Sequence, residues 1–94
     1  MEELKGKQGE IKIYTTPWCP YCVRAIRLLD KKGVAYENIN VSSEPEIRAS
    51  LYQITRQTSV PQVFIHGKSV GGCDDLYALD AAGNLDGLLS QVQP

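Results

Sequence analysis

Two cysteines, Cys19 and Cys22, are separated by two residues in Trp18-Cys19-Pro20-Tyr21-Cys22. An apolar run (Ile11, Ile13, Tyr14) precedes them, and a helical pattern begins with them. A thiol at a helix start faces backbone N–H groups that have no partner within the helix, and these favour its negative form. Cysteines so placed titrate at roughly 3.5–7.5 instead of ~8.5. Cys19 is therefore expected to be the nucleophile. Cys22, one turn deeper on the apolar face, is expected to be more buried, to keep its proton longer and to act as the resolving thiol. A Cys-x-x-Cys pair that follows a strand and opens a helix reads as a dithiol redox site.

Other uses of the pair fit less well. Zinc wants four ligands, and beyond the pair the candidates are Cys73 and His66, with no second Cys-x-x-Cys and no His-x-x-x-His. No metal is expected. Two buried structural thiols would not call for an exposed helix start flanked by Trp18 and Tyr21.

The 94 residues predict a single domain over 1–94, with 1–9 as a polar, solvated lead-in. A chain of this size buries roughly 60–70% of the surface that its unfolded form exposes. It needs no disulfide staple. Hydrophobic residues at 43% and charged residues at 22% describe a soluble globular protein. A net charge of −1 leaves no basic footprint for nucleic acid and no polybasic patch for a membrane. The lead-in has neither the apolar core of a signal peptide nor that of a membrane span. Three cysteines without a signal point to a reducing compartment, the cytoplasm.

The elements that must position the dithiol follow from periodicity. Ile11 to Tyr14 reads as a strand, and Thr15-Thr16-Pro17-Trp18 as a loop. Pro20 suits the first turn of the helix that starts near Cys19. Its apolar face is read as Cys22, Val23, Ile26 and Leu29, with Gly33 as the stop. Val34 to Val41 reads as a second strand. Ser43-Glu44-Pro45-Glu46 is a capping-box pattern that opens a helix carrying Ile47, Leu51 and Ile54. Val60 to Ile65 is a strand with Pro61 confined to its start. His66-Gly67 turns the chain into a short strand at Ser69-Val70, and His66 reads as a solvated turn residue. Asp74 and Asp75 open a helix that buries Leu76, Leu79 and Ala82. Asn84 is expected to cap a last short one with Leu85, Leu88 and Leu89. Tyr36, Tyr52 and Tyr77 read as core or boundary aromatics. The order β-α-β-α-β-β-α-α predicts an α/β fold, a four-stranded mixed sheet with helices on both faces.

Three segments carry a family resemblance. Tyr14-Thr15-Thr16-Pro17-Trp18-Cys19-Pro20-Tyr21-Cys22 resembles the active-site segment of dithiol glutaredoxins. Thr58-Ser59-Val60-Pro61 resembles their Thr-Val-Pro loop, and Gly71-Gly72-Cys73-Asp74-Asp75-Leu76 their Gly-Gly-Cys-Asp-Asp-Leu segment. The order and spacing are most similar to bacterial members of the glutaredoxin-3 kind. The resemblance implies a thioredoxin-like fold, a cis Val60–Pro61 bond and glutathione as co-substrate. It also implies glutathione reductase and glutathionylated or disulfide-containing proteins such as ribonucleotide reductase as partners of a monomer.

Glutathione is an extended tripeptide charged at both ends, and the residues offer it matching groups. Val60, before Pro61, can pair with its cysteinyl unit as an added strand. The helix start at Gly72, Cys73 and Asp74 offers N–H groups to the γ-glutamyl carboxylate, and Asp74 accepts from the α-ammonium. Gln57 is placed for the glycyl carboxylate. Tyr21, Ser59 and Thr16 complete the expected binding set, and Cys73 reads as a small apolar residue lining the groove. Thr16 stands where many glutaredoxins carry a lysine, so electrostatic capture of glutathione is expected to be weaker. Two rival functions remain open at this point: a [2Fe–2S] carrier that ligates through Cys19 and glutathione, and a thioredoxin-like electron donor that ignores glutathione.

Overall fold

The computed structural model describes residues 2–92, so Met1 of the expected lead-in lies outside it. The elements are α1 (Glu2–Lys5), β1 (Ile11–Thr15), α2 (Pro20–Lys31), β2 (Glu37–Asn40), α3 (Pro45–Thr55), β3 (Gln62–Ile65), β4 (Lys68–Gly71), α4 (Cys73–Ala81) and α5 (Leu85–Leu89). The sheet order is β2-β1-β3-β4. β1 runs parallel to β2 and antiparallel to β3, and β3 and β4 form a hairpin. The expected α/β fold, a four-stranded mixed sheet in the β-α-β-α-β-β-α-α order, is the one observed, with α1 added in front.

Alternation along the two central strands divides the core. Ile11, Ile13, Val63 and Ile65 point to one face and pack with Ala25, Leu28 and Leu29 of α2, Leu76 of α4, and Leu85 and Leu89 of α5. Tyr14 and Phe64 point to the other face and pack with Leu51 of α3 and Val41, their rings edge to face at 6.0 Å. A one-residue slip of either strand would exchange these two sets, so burial on both faces holds the register.

Several local expectations are corrected by packing. The lead-in is not simply solvated: Glu2–Lys5 form one helical turn, Leu4 packs against the second cluster, and the Tyr14 hydroxyl donates to the Leu4 carbonyl at 2.6 Å. The buried face of α2 is Cys22, Ala25, Leu28 and Leu29, whereas Val23 is exposed. β2 is shorter than expected; Val34 and Tyr36 reach the core from the loop before it. α3 starts at Pro45 with Glu44 as its cap and no side-chain capping bond, so the Ser43–Glu46 box does not form. Asn84 likewise makes no side-chain capping bond. Ala82 and Tyr52 are exposed.

His66 departs most from its reading. Its Nδ1 accepts from the buried Gly9 N–H at 2.9 Å and its Nε2 donates to the Leu88 carbonyl at 2.8 Å. The ring thus ties the hairpin turn to the segment before β1 and to α5. Among the described residues, two that are not glycine sit in the left-handed region: His66 (φ 54°) in the turn and Arg56 (φ 60°) after α3. Each costs roughly 1–2 kcal/mol relative to ordinary helical backbone.

Candidate functional site

β1 ends at Thr15, and the chain turns through Pro17 and Trp18 before Pro20 opens α2. Cys19 is the N-cap of α2, with extended backbone (φ −104°, ψ 109°) and Pro20 directly after it. Its sulfur takes the place of the usual capping oxygen, accepting from the Cys22 N–H at 3.1 Å. The same sulfur lies 3.7 Å from the Val60 carbonyl, within reach for a weak S–H donation. All three cysteines are free thiols, Cys19 half-buried, Cys22 and Cys73 buried.

The two thiols of the pair are therefore unequal. Burial pushes the Cys22 thiol up to about 12, a hydrogen bond with Cys19 adds to this, and a backbone hydrogen bond from Thr16 opposes it. Cys73 is also raised, chiefly by burial, with Arg24 opposing.

Beside Cys19 runs a groove of about 350 Å³ lined by Tyr21, Gln57, Ser59, Val60, Pro61, Gln62, Gly71, Gly72, Cys73, Asp74 and Asp75. The fold thus brings together eight of the residues selected from sequence as a binding set: Tyr21, Gln57, Ser59, Val60, Pro61, Gly72, Cys73 and Asp74. Thr16 is half-buried at the end of β1 and is not among the lining residues; its described link to the site is the backbone bond toward Cys22. Cys19 meets the groove through Val60. The Val60–Pro61 bond is cis.

Two residues shape this groove that sequence reasoning did not single out. Gln62 is buried at the start of β3. Its amide donates to the carbonyls of Gln57 and Ser59, both at 3.0 Å, and its oxygen accepts from the Thr55 hydroxyl at 2.9 Å. One side chain thereby fixes the loop from the end of α3 to Pro61. Asp75 accepts from the Gly72 N–H at 3.0 Å and holds the turn between β4 and α4. It can do so because residue 71 is glycine: φ is +100° there, and a Cβ would collide with the Asp75 side chain. Gly72 is similarly close to the Pro61 carbonyl, 3.1 Å from where a Cβ would stand, so the two walls of the groove nearly touch at its floor. The sequence signals were a polar residue at an inward strand position and an acid three residues into a helix.

Asp74, in the first turn of α4, and Gln57, just after α3, both line the groove. Among the described residues no cluster of three or more His, Cys, Asp or Glu is arranged to hold a metal ion. No helix among them is long and apolar enough to cross a membrane.

Comparison with known proteins agrees with this geometry. The family model described as Glutaredoxin matches residues 11–70. The chain is 54% identical over 80 residues to a glutaredoxin of Pseudomonas aeruginosa, covering 85% of this chain and 95% of that one. It is 47% identical over 81 residues to glutaredoxin 3 of Escherichia coli K12, covering 86% and 98%. Among solved structures it is similar to a buckwheat glutaredoxin–glutathione complex, with TM-score 0.89 at 32% identity, covering 98% of this chain and 88% of that one. It is also similar to the solution structure of glutaredoxin from Brucella melitensis, with TM-score 0.79 at 46% identity, covering 92% and 94%. Sequence and fold agree that this chain belongs to the glutaredoxin family of thiol–disulfide oxidoreductases, and the closeness of Cys19 to Cys22 fits the redox-active centre that such chemistry requires.

Proposed function

We propose that this protein uses glutathione to reduce mixed disulfides and protein disulfides, with Cys19 as nucleophile and Cys22 as resolving thiol. The observation that carries the reading is the groove, which adjoins Cys19 at Val60 and is lined by Asp74 from the first turn of α4 and by Gln57 from the segment after α3. The glutathione complex of the buckwheat glutaredoxin, a protein of the same fold, supports it.

In the first step the Cys19 thiolate attacks the glutathione sulfur of a mixed disulfide. The substrate's sulfur leaves with the electron pair and takes up a proton, and Cys19 is left bonded to glutathione. A second glutathione thiolate then attacks that bond, releasing oxidised glutathione and restoring Cys19. The groove aligns the incoming disulfide by strand-like pairing at Val60, while Tyr21, Ser59, Pro61, Gly72 and Cys73 give it walls. The weak donation from Cys19 to the Val60 carbonyl disappears when the thiol ionises, and the Cys22 N–H remains as donor to the sulfur.

For a protein disulfide, Cys19 forms the mixed disulfide and Cys22 breaks it. Cys22 loses its proton and attacks the Cys19 sulfur; two electrons pass to the substrate, and Cys19 and Cys22 become disulfide-bonded. Part of what holds the proton on Cys22 comes from Cys19 itself. That part falls away once the Cys19 sulfur carries no charge, which eases ionisation of Cys22 after the first step, while burial, the larger cause, persists. Glutathione reductase would regenerate the spent glutathione, and the reducing cytoplasm is the compartment in which such a thiol pair is kept ready. Ribonucleotide reductase is a fitting type of protein substrate, and a monomer carries every group the steps use.

A glutathione-dependent reductase assay on wild type, Cys19→Ser and Cys22→Ser tests this. Cys19→Ser is expected to be inactive on both substrate types. Cys22→Ser is expected to retain reduction of glutathione mixed disulfides and lose that of protein disulfides. Retained activity in Cys19→Ser would overturn the assignment.

A further inference from the structure

The outward face of α3 carries a feature that these steps do not use. Arg48 and Tyr52 stand one turn apart on α3, and Arg56, the left-handed residue that closes it, brings its guanidinium to the Tyr52 ring. Tyr52 is 43% exposed, and the Arg56 guanidinium lies 5.8 Å over its ring. Arg48 Nη2 donates to the Thr58 carbonyl at 3.2 Å. Each cation is thus oriented by a neutral partner. Among the described residues neither is paired with a carboxylate, unlike Lys12 with Glu37 or Lys32 with Asp80 and Asp86. Arg48 and Tyr52 also line a cleft of about 350 Å³ with Ala49, Gln53 and Thr58.

Arg56 occupies a left-handed position, where glycine or asparagine would fit without strain. Its side chain is what the position gains. These residues also adjoin the site. Thr58, which holds Arg48, is two residues before Val60, whose carbonyl meets the Cys19 sulfur. Two residues of extended chain span at most about 7 Å. Gln57, which lines the groove, follows Arg56 directly.

We propose that Arg48 and Arg56 form a docking site for acidic residues of polypeptide disulfide substrates, a few positions from the cysteine that bonds to Cys19. A peptide joined to Cys19 and lying along Val60 leaves the groove past Gln57 and meets two oriented guanidinium groups. Planar guanidinium forks match carboxylates, and the exposed Tyr52 ring between them supplies an apolar contact for the intervening chain. The inference rests on Cys19 attacking protein disulfides. The bonds made and broken are those given above: two electrons pass from the Cys19–Cys22 dithiol to the peptide disulfide.

The test compares the double variant Arg48→Gln/Arg56→Gln with wild type. The probes are three oxidised substrates: a peptide disulfide with glutamates flanking its cysteine, the same peptide with glutamines, and a small glutathione mixed disulfide. Pre-reduced protein is mixed with each, and second-order rate constants are read by acid quench at low and high salt. Wild type is expected to prefer the glutamate peptide over the glutamine peptide by roughly fivefold at low salt, the effect of two exposed ion pairs. That preference is expected to fade at high salt and to be absent in the variant. The glutathione substrate should react alike with both proteins. Equal rates on the two peptides in wild type would overturn the proposal. So would a variant that slows all three substrates equally, which would place the arginines in glutathione binding or in folding. A wild type that fails on the glutathione substrate yet prefers the glutamate peptide would overturn the glutathione reading and leave this one standing.

Discussion

The Cys22 N–H donates to the Cys19 sulfur at 3.1 Å while the Cys22 thiol is buried and pushed up to about 12. The backbone of Cys22 donates to the sulfur of Cys19, while its own side chain keeps its proton. This has a consequence for stability. An unfolded thiol titrates near ~8.5. Below that pH both states hold the proton and the contribution of Cys22 is complete. Between about 8.5 and the folded value of about 12 the unfolded chain ionises first, so stability falls as pH rises. Tyr14 and Tyr36, also raised to about 12, chiefly by burial, act in the same direction. Urea midpoints of the reduced protein at pH 7, 9 and 10 should fall more steeply for wild type than for Cys22→Ala. Parallel slopes would refute this origin.

Gln62→Leu removes three hydrogen bonds and leaves the Gln57 and Ser59 carbonyls without their side-chain donor, while the Thr55 hydroxyl keeps the Leu51 carbonyl as acceptor. The expected cost is about 1–3 kcal/mol. Because the loop forms one wall of the groove, KM for a glutathione mixed disulfide should rise more than kcat falls. A change confined to thermal stability would separate Gln62 from the site.

Gly71→Ala meets both a left-handed φ and the Asp75 side chain. It should destabilise by roughly 1–3 kcal/mol. Asp75→Ala in the same chain relieves the collision but not the φ strain, so a double-mutant cycle should give a favourable coupling. Strict additivity would mean that the turn adjusts by another route.

His66→Phe deletes the partner of the Gly9 N–H and the donor to Leu88. The expected loss is about 1–3 kcal/mol. His66 lies at the opposite end of β3 from Pro61, so reductase activity below the melting transition should match wild type. Reduced activity at a temperature where the variant is fully folded would contradict that placement.

Thr16→Lys would put a cation at the end of β1, beside the turn that leads into Cys19. KM for a glutathione mixed disulfide should drop, by roughly two- to fivefold for an exposed ion pair, and the gain should shrink in high salt. An unchanged KM would show that the missing lysine has no bearing on glutathione capture in this protein.

Local chemistry made much of this protein legible from its residues. A cysteine, a proline and a second cysteine within one helical turn place the first sulfur at the N-cap wherever the helix docks, because capping depends on neighbours in sequence. The strands were legible for the same reason: period-two alternation at Ile11 to Tyr14 and Val63 to Ile65 reports which residues share a face. What local pattern could not decide is which stripe of an amphipathic helix meets the sheet. The docking angle of α2 buries Ala25 and Leu28 and leaves Val23 in solvent. α1 is a single turn, too short to be stable by itself, and exists because Leu4 and Tyr14 meet across the chain. His66 became a cross-link only when two segments 57 and 22 residues away were brought to its ring. The groove is the same case. Its two walls, the Gln57–Gln62 and Gly71–Asp75 segments, are separate in sequence, and close approach of Gly72 to Pro61 makes them one channel beside Cys19. The sequence by itself determined the reactive pair, and tertiary packing decided what can lie next to it.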